Sequence, residues 1–283
     1  MNLTSISTIK DVMSRNGFNF SKSLGQNFII NPDICPKIAE YGNAQKGFGI
    51  LEIGTGIGVL TKELALRADK VTAIEIDKRL MPVLSETLAE FDNIKIINED
   101  VMKCSLHDII NEEFKGLKVA VCANLPYYIT SPVIMMLLEN NLPIKSITVM
   151  VQKEAADRIC AEIGTRNAGA ITVGVNYYGN AEKLFGVSRG NFMPSPNVDS
   201  AVIRININHD RRLDENQEKF FFKMIKAGFS QRRKTLVNSL SQLGIDKQEV
   251  YSGLRNIGLS ENSRIEQLNM EQLMDLSLRL NKS

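Results

Sequence analysis

Asn124-Leu125-Pro126-Tyr127 sets an amide oxygen, a backbone carbonyl, a stiffening proline and a flat aromatic ring within four residues. An exocyclic amine conjugated to a ring is a poor nucleophile, and it improves when acceptors hold its N–H groups toward a pyramidal nitrogen. The Asn124 side-chain oxygen and the Leu125 carbonyl suit that task. Pro126 restricts the loop, and Tyr127 offers a face on which an extruded base stacks, a contact worth about 1–3 kcal/mol. Transfer to such an amine depends on positioning and electrostatics and asks for no histidine base. The two histidines, His107 and His209, fall away from this tetrapeptide and read as solvated surface residues. The alternative for the four residues is an ordinary proline-containing turn.

A second constellation lies upstream. Ile50-Leu51-Glu52-Ile53-Gly54-Thr55-Gly56-Ile57-Gly58 reads as a buried strand entering a glycine loop, followed by a helical stretch over Val59–Ala68. The next strand ends in Glu75, placed where a carboxylate accepts hydrogen bonds from ribose hydroxyls. The spacing is G-x-G-x-G, with the third glycine one residue earlier than in the dinucleotide fingerprint, and the loop holds no basic side chain. A pyrophosphate prefers a cation or helix N-terminus, whereas a sulfonium with an α-amino group prefers carboxylates. Glu52, Gly54, Gly56, Glu75 and Asp100 therefore favour S-adenosylmethionine over NAD, with Asp100 placed to meet the adenine amino group. Glycines and Asp that only make turns are the competing reading.

These loops need elements to hold them. Strands are predicted at Gly49–Ile53, Lys70–Ile76, Ile94–Asn98, Leu117–Ala123 and Ser146–Val151, with helix-length stretches after most of them, which argues for a parallel sheet covered by helices. Apolar runs at Ala170–Tyr178, Ala181–Val187 and Ser200–Ile207, with Gly179-Asn180 as a turn, suggest an antiparallel end to the sheet. Beyond Asn208 only helices are expected. The division predicted is thus residues 1–207, an α/β Rossmann-like domain, and residues 208–283, a small all-helical domain.

Composition bounds the rest. With 283 residues, 43% of them hydrophobic, the chain accommodates one large domain, or one large and one small. Lys and Arg total 34 against 32 Asp and Glu, so any basic footprint for nucleic acid must be local. Lys219–Lys234 is such a footprint, with six basic residues, no acid, and Lys219, Lys223 and Lys226 on one helical face; a solvated helix face is the alternative. Cys35, Cys104, Cys122 and Cys160 are dispersed and read as buried free thiols in a reducing compartment, with no metal site. Neither a signal-like N-terminus nor a long apolar run is seen, so a cytoplasmic protein with no membrane segment is expected.

Several separated motifs then resemble the KsgA/RsmA family of ribosomal RNA adenine dimethyltransferases, a likeness running from about Phe20 to the last helix. Ser23-Leu24-Gly25-Gln26-Asn27-Phe28-Ile29 is similar to the family's entry segment, which implies that Asn27 and Ile29 touch the cofactor. The likeness also assigns Gly54, Glu75, Asp100 and Asn124 to cofactor binding. Phe192-Met193-Pro194-Ser195-Pro196-Asn197-Val198-Asp199-Ser200 resembles the segment whose Phe sandwiches the target adenine opposite the catalytic-loop aromatic. Phe229-Ser230-Gln231-Arg232-Arg233-Lys234-Thr235-Leu236, continued by Asn238-Ser239-Leu240, is the longest match, and it implies RNA contact by Lys219, Lys223, Lys226, Arg232, Arg233 and Lys234. Arg264-Ile265-Glu266-Gln267-Leu268 resembles the family's closing segment. Departures are Thr55 for a usual Pro, Asn197 for a frequent Lys, and Arg166-Asn167-Ala168-Gly169 for a common Tyr-Gly pair.

The resemblance implies a class I S-adenosylmethionine-dependent methyltransferase that N6,N6-dimethylates two adjacent adenosines in a hairpin near the 3′ end of small-subunit (16S) rRNA. Its partner would be the 30S subunit or its precursor, with a monomer as the default state. The runner-up is a macrolide-resistance-type methylase of large-subunit rRNA. That class lacks the Gln-Arg-Arg-Lys-Thr-Leu stretch and typically has Asn where Asp199 stands. A ribosome-assembly factor whose binding matters as much as its catalysis, and a NAD-dependent oxidoreductase suggested by the glycine loop alone, are further alternatives.

Overall fold

The computed structural model describes residues 1–18, 20, 25–210 and 212–281. Ser23 and Leu24 of the expected entry segment lie outside the described residues. The chain forms two compact units, one of Met1–Ala156 with Ala181–Ile207 and one of Asp157–Asn180 with Asn208–Ser283.

The strands in chain order are β1 Phe28–Ile29, β2 Phe48–Ile53, β3 Lys70–Ile74, β4 Ile94–Ile97, β5 Lys118–Asn124, β6 Ile144–Gln152, β7 Gly179–Val187, β8 Phe192–Met193 and β9 Ser200–Ile207. Seven form one sheet in the order β4-β3-β2-β5-β6-β9-β7, and β1 pairs with β8 apart from it. Pairing is parallel from β4 to β6 and antiparallel between β6 and β9. All six residues of β2 are buried, as a near-continuous apolar run at the centre of a parallel sheet requires. From β2 the chain builds outward to β3 and β4, then returns to β2's other edge with β5. The carboxyl ends of β2 and β5 therefore flank a switch point, where open α/β sheets leave a crevice.

Helices α1 Ile6–Arg15, α2 Ile34–Tyr41, α3 Val59–Ala65, α4 Met81–Thr87, α5 Leu106–Glu113 and α6 Thr130–Glu139 belong to this unit. One apolar cluster joins Ile38, Ile50, Leu64, Ala120, Cys122 and Val202. Another joins Ile9 and Val12 of α1 to Phe28, Ile57, Leu80 and Leu84, so the N-terminal helix packs on the segments that follow β2 and β3. The four cysteines are free, but only Cys35 and Cys122 are buried; Cys104 and Cys160 are partly exposed, which corrects the expectation of four buried thiols.

Helix α7 Lys153–Ile159 carries the chain into the second unit, which also holds α8 Ala170–Tyr178, α9 Glu215–Ser230, α10 Leu236–Leu240, α11 Lys247–Asn256 and α12 Met270–Leu280. The expected strand at Ala170–Tyr178 is thus a helix, and Gly179-Asn180 opens β7 instead of turning a hairpin. The reason is burial on most sides: Thr172, Val173, Val175, Tyr177 and Tyr178 are all inside, so the run carries no periodicity to separate strand from helix. Tyr177 and Tyr178 pack on Phe221 and Phe222 of α9 and both hydroxyls donate to Glu218, at 3.0 and 2.7 Å. Residues 157–180 consequently cluster with the C-terminal helices, a correction to the division at 1–207 and 208–283. A capping box starts α9: Asp214 accepts from the Asn216 and Gln217 N–H groups while the Gln217 side chain accepts from Asp214 N. No helix among the described residues is long and apolar enough to cross a membrane.

Candidate active site

A cavity of about 270 Å³ opens at the carboxyl ends of β2, β3 and β5. Its wall contains Gly54–Ile57, Glu75 and Ile76, Glu99–Met102, Asn124–Ile129, Gln26–Ile29 and Phe192. Four loops, after β2, β3, β4 and β5, that the sequence separates by up to seventy residues meet here because parallel strands deliver every loop to the same edge of the sheet.

The glycine loop bends through the left-handed region, with φ of +78° at Gly54 and +55° at Gly56. A Cβ at Gly54 would meet nothing closer than the Asn124 carbonyl at 4.0 Å, so it would project into open space at the cavity, and one at Gly56 would crowd the Phe28 ring at 3.3 Å. Glycine at these positions keeps the backbone low enough for a ligand to approach it.

Glu75 follows β3 and is buried. Its Oε2 accepts from Thr55 N at 2.9 Å, Thr55 Oγ1 at 3.0 Å and Gly56 N at 3.3 Å, while Oε1 accepts from Asp77 N at 2.9 Å. Burial raises its pKa above the ordinary glutamate value, and these hydrogen bonds oppose the rise. Oε1 carries one bond and keeps acceptor capacity toward the cavity. Thr55, at the position where proline was expected, thus anchors the carboxylate through its hydroxyl, something a proline could not do. Asp100 lines the same wall and caps the turn Val101–Lys103, its Oδ1 accepting from Met102 N at 3.0 Å.

Asn124 is the last residue of β5, paired across the sheet with Met150, and its side chain makes no hydrogen bond among the described residues. The Leu125 N–H donates to the Met150 carbonyl at 3.3 Å, which holds the buried Leu125 and points the loop away from the sheet. Pro126 accepts from Ile129 N at 3.2 Å, closing the turn Tyr127–Ile129. The Tyr127 hydroxyl lies 2.9 Å from Ser200 Oγ at the start of β9, and burial raises its pKa. Phe192 reaches the wall because β8 pairs with β1, setting it opposite Ile29. Asn27 lines the cavity and donates to the Gly25 carbonyl at 3.0 Å.

Two expected residues lie elsewhere. Glu52 is absent from the cavity wall: it is fully buried on the face of β2 that carries Ile50, with no well-formed hydrogen bond to either oxygen. Burial pushes its carboxyl up to about 8, and the neighbouring Thr61 hydroxyl only partly offsets this. A carboxyl so placed is held by the sheet-helix layer, not offered to a ligand. In the second unit, Arg232 is half-exposed and engaged with its own unit, with Nε and Nη2 on Glu266 and Nη2 also on the Arg166 carbonyl. Lys219, Lys223, Lys226, Arg233 and Lys234 are exposed, and Lys219 pairs with Glu215 one turn earlier. His107 and His209 are exposed and outside the cavity wall.

Gln26 and Tyr128, to which the sequence assigns no role, also line the wall. Gln26 donates to Asp77 Oδ2 at 2.9 Å, a bond between distant segments that no local spacing announces. Tyr128 is adjacent to a residue singled out for its ring, and the doubled aromatic was the available signal.

A family model described as ribosomal RNA adenine dimethylase matches residues 17–282. A protein of Clostridioides difficile (strain 630) named ribosomal RNA small subunit methyltransferase A is 43% identical over 280 residues, covering 99% of this chain and 97% of its own. One of the same name from Geobacillus thermodenitrificans (strain NG80-2) is 46% identical over 273 residues, covering 95% and 93%. Among solved structures, a dimethyladenosine transferase from Plasmodium falciparum superimposes with a TM-score of 0.74 at 26% identity, covering 90% of this chain and 98% of that one. The 23S rRNA methyltransferase ErmE gives 0.67 at 27% identity, covering 90% and 99%.

Proposed function

The chain belongs to the ribosomal RNA adenine dimethylase family, and from that premise we propose that it transfers methyl groups from S-adenosylmethionine to the N6 atoms of two adjacent adenosines in small-subunit rRNA. The observation that carries this reading is the placement of Asn124-Leu125-Pro126-Tyr127 in the wall of the same cavity as the glycine loop and Glu75. Identity of 43% and 46% over nearly the whole chain to proteins named ribosomal RNA small subunit methyltransferase A supports the small subunit as the source of the substrate.

The residues present fit the cofactor. Open space above Gly54 admits a ligand against the backbone. The wall holds Glu75, Glu99 and Asp100 and, among the described residues, no Lys, Arg or His, which suits a sulfonium and disfavours a pyrophosphate. S-adenosylmethionine supplies the methyl group on a cationic sulfur. Glu75 Oε1 would take the ribose hydroxyls, and Asp100 the adenine amino group.

Asn124 Oδ1 and the Leu125 carbonyl accept from the substrate amine and orient its lone pair toward the cavity. Tyr127, with its hydroxyl tied to Ser200, presents a fixed ring on which the extruded adenine stacks, and Phe192 supplies a second apolar wall. Because the amine loses its proton after transfer, water serves as acceptor and no wall residue needs to titrate near neutrality. The exposed cations of α9 and the following segment, Lys219, Lys223, Lys226, Arg233 and Lys234, would bind the rRNA phosphates within the 30S subunit or its precursor.

Replacing Asn124 with Ala should lower kcat by roughly 100-fold or more, in line with loss of an oriented hydrogen-bonding group at the reacting centre. Cofactor affinity by calorimetry should change far less. Methyl transfer to unmethylated small subunits at the wild-type rate would remove this mechanism.

A further inference from the structure

Tyr128 is the most exposed aromatic side chain among the described residues, with 59% of its surface in solvent against 40% for Tyr41. It makes no hydrogen bond among those residues. It is also not on an arbitrary surface: it sits in the turn Tyr127–Ile129, directly after the catalytic tetrapeptide, and lines the cavity.

Two contacts fix where the ring stands. A Cβ built at Gly25 would lie 3.6 Å from Tyr128 Cε1 and 3.6 Å from the Pro126 Cβ, so the ring rests beside the Gly25 backbone at the edge of the catalytic loop. Gly25 has φ of +62°. The ring is thus seated against the protein on one side while most of its surface faces water. Tyr127, by contrast, is half-buried and tied through its hydroxyl to Ser200, so it is committed to whatever enters the cavity.

Extruding a base leaves the nucleotide next to it without a stacking neighbour, a penalty that a flat ring at the right place removes. We propose that Tyr128 is a binding platform for the nucleobase adjacent to the one in the cavity, an assignment that rests on the function proposed above. Strand polarity places the neighbour from one side of the extruded adenosine on Tyr128, so in one of the two methylations that base is the other adenosine of the pair and in the other it is a flanking nucleotide.

The test is steady-state methyl transfer from S-adenosylmethionine to unmethylated small ribosomal subunits by wild type, Tyr128→Ala, Tyr128→Phe and Tyr41→Ala, with cofactor affinity measured by calorimetry. Tyr128→Ala should raise KM for the subunits about 10- to 100-fold, the range expected for removal of one base–aromatic stack. Its cofactor affinity should match wild type, Tyr128→Phe should restore KM, and Tyr41→Ala should behave as wild type. Unchanged KM in Tyr128→Ala would overturn the proposal while leaving the parent function intact. So would a fall in cofactor affinity that accounts for the whole effect, since the ring would then serve the wall around Gly25. Absence of transfer by wild type would defeat the parent function and the proposal together.

Discussion

Glu52 and Asn124 both end up near the cavity, yet only one meets it, and the difference lies in which way each strand position faces. Glu52 shares its side of β2 with Ile50, two residues away, and both are fully buried. The acid before the glycines was legible as a feature, but its role was not, because the ligand-facing element there is loop backbone and not strand side chain. The parity with Ile50 was the unused signal. Asn124, at the last position of β5, has left the ladder's interior and so borders the cavity. Burial without a well-formed hydrogen bond gives Glu52 a testable consequence. Its folded pKa, about 8, stands above the ordinary 4.5, so the folded state holds a proton that the unfolded state releases between those values. Stability therefore falls as pH rises through that window, at up to about 1.4 kcal/mol per pH unit, and levels off above the folded pKa. In urea denaturation from pH 6 to 8 the wild type should lose about 2 kcal/mol more than Glu52→Gln. Parallel pH dependence of the two proteins would show that Glu52 ionises in the fold as it does outside it.

The entry segment around β1 is joined to the glycine loop and the end of β3 by a short run of contacts. Gln26 donates to Asp77 Oδ2, and Arg79 grips Asp77 through Nε and Nη2 at 2.8 and 2.7 Å. The Arg79 guanidinium lies 5.3 Å from the Phe18 ring centroid, and Phe18 and Phe20 pack on Phe28, whose ring overlies Gly56. The Arg79 guanidinium beside Asp77 holds that carboxyl below the usual range, so the link is charged at neutral pH. Because the Asp77 N–H also holds Glu75 Oε1, the element that closes the wall and the carboxylate that would take ribose are positioned by one residue. Asp77→Ala and Gln26→Ala should each weaken S-adenosylmethionine binding, Asp77→Ala by about 10-fold. The double variant should lose less than the sum, as for residues sharing one hydrogen bond. Additive losses by calorimetry would mean that the two act separately. Elements of this kind were only partly readable beforehand. Strands β2 to β6 showed themselves as apolar runs separated by helix-length stretches, and β9 agreed with the expected Ser200–Ile207. The Ala170–Tyr178 helix did not, since an apolar run buried on most sides looks alike in either conformation, and the Gln26–Asp77 bond joins segments fifty-one residues apart.

For the molecule as a whole, a net charge of +2 conceals a local asymmetry. Lys219, Lys223 and Lys226 line the exposed side of α9, whose opposite side buries Phe221, Met224 and Ile225 in the core of the second unit. Lys219 is partly neutralised by Glu215, so Lys223 and Lys226 carry most of that face's field. Replacing all three with Glu should weaken binding to small-subunit rRNA and flatten its dependence on salt, by roughly 0.7–0.9 in logarithmic slope for each phosphate that the variant no longer neutralises. Cofactor affinity should stay at the wild-type value. An unaltered salt slope in the triple variant would assign RNA binding to other surfaces. The sheet unit contains the cavity, and the helical unit carries the exposed cations Lys219, Lys223, Lys226, Arg233 and Lys234. The alternation of apolar runs and helix-length stretches shows in the sequence, whereas the passage of residues 157–180 into the helical unit does not, because it depends on Tyr177 and Tyr178 finding Phe221, Phe222 and Glu218. The central claim, adenine dimethylation of small-subunit rRNA, is tested most directly by supplying labelled S-adenosylmethionine with small ribosomal subunits that lack the modification, and large-subunit RNA in parallel, then mapping the labelled nucleotides. The expected result is N6,N6-dimethyladenosine at two adjacent positions of the small-subunit RNA and none in the large; label confined to large-subunit RNA, or carried by a base other than adenine, would contradict the proposed function.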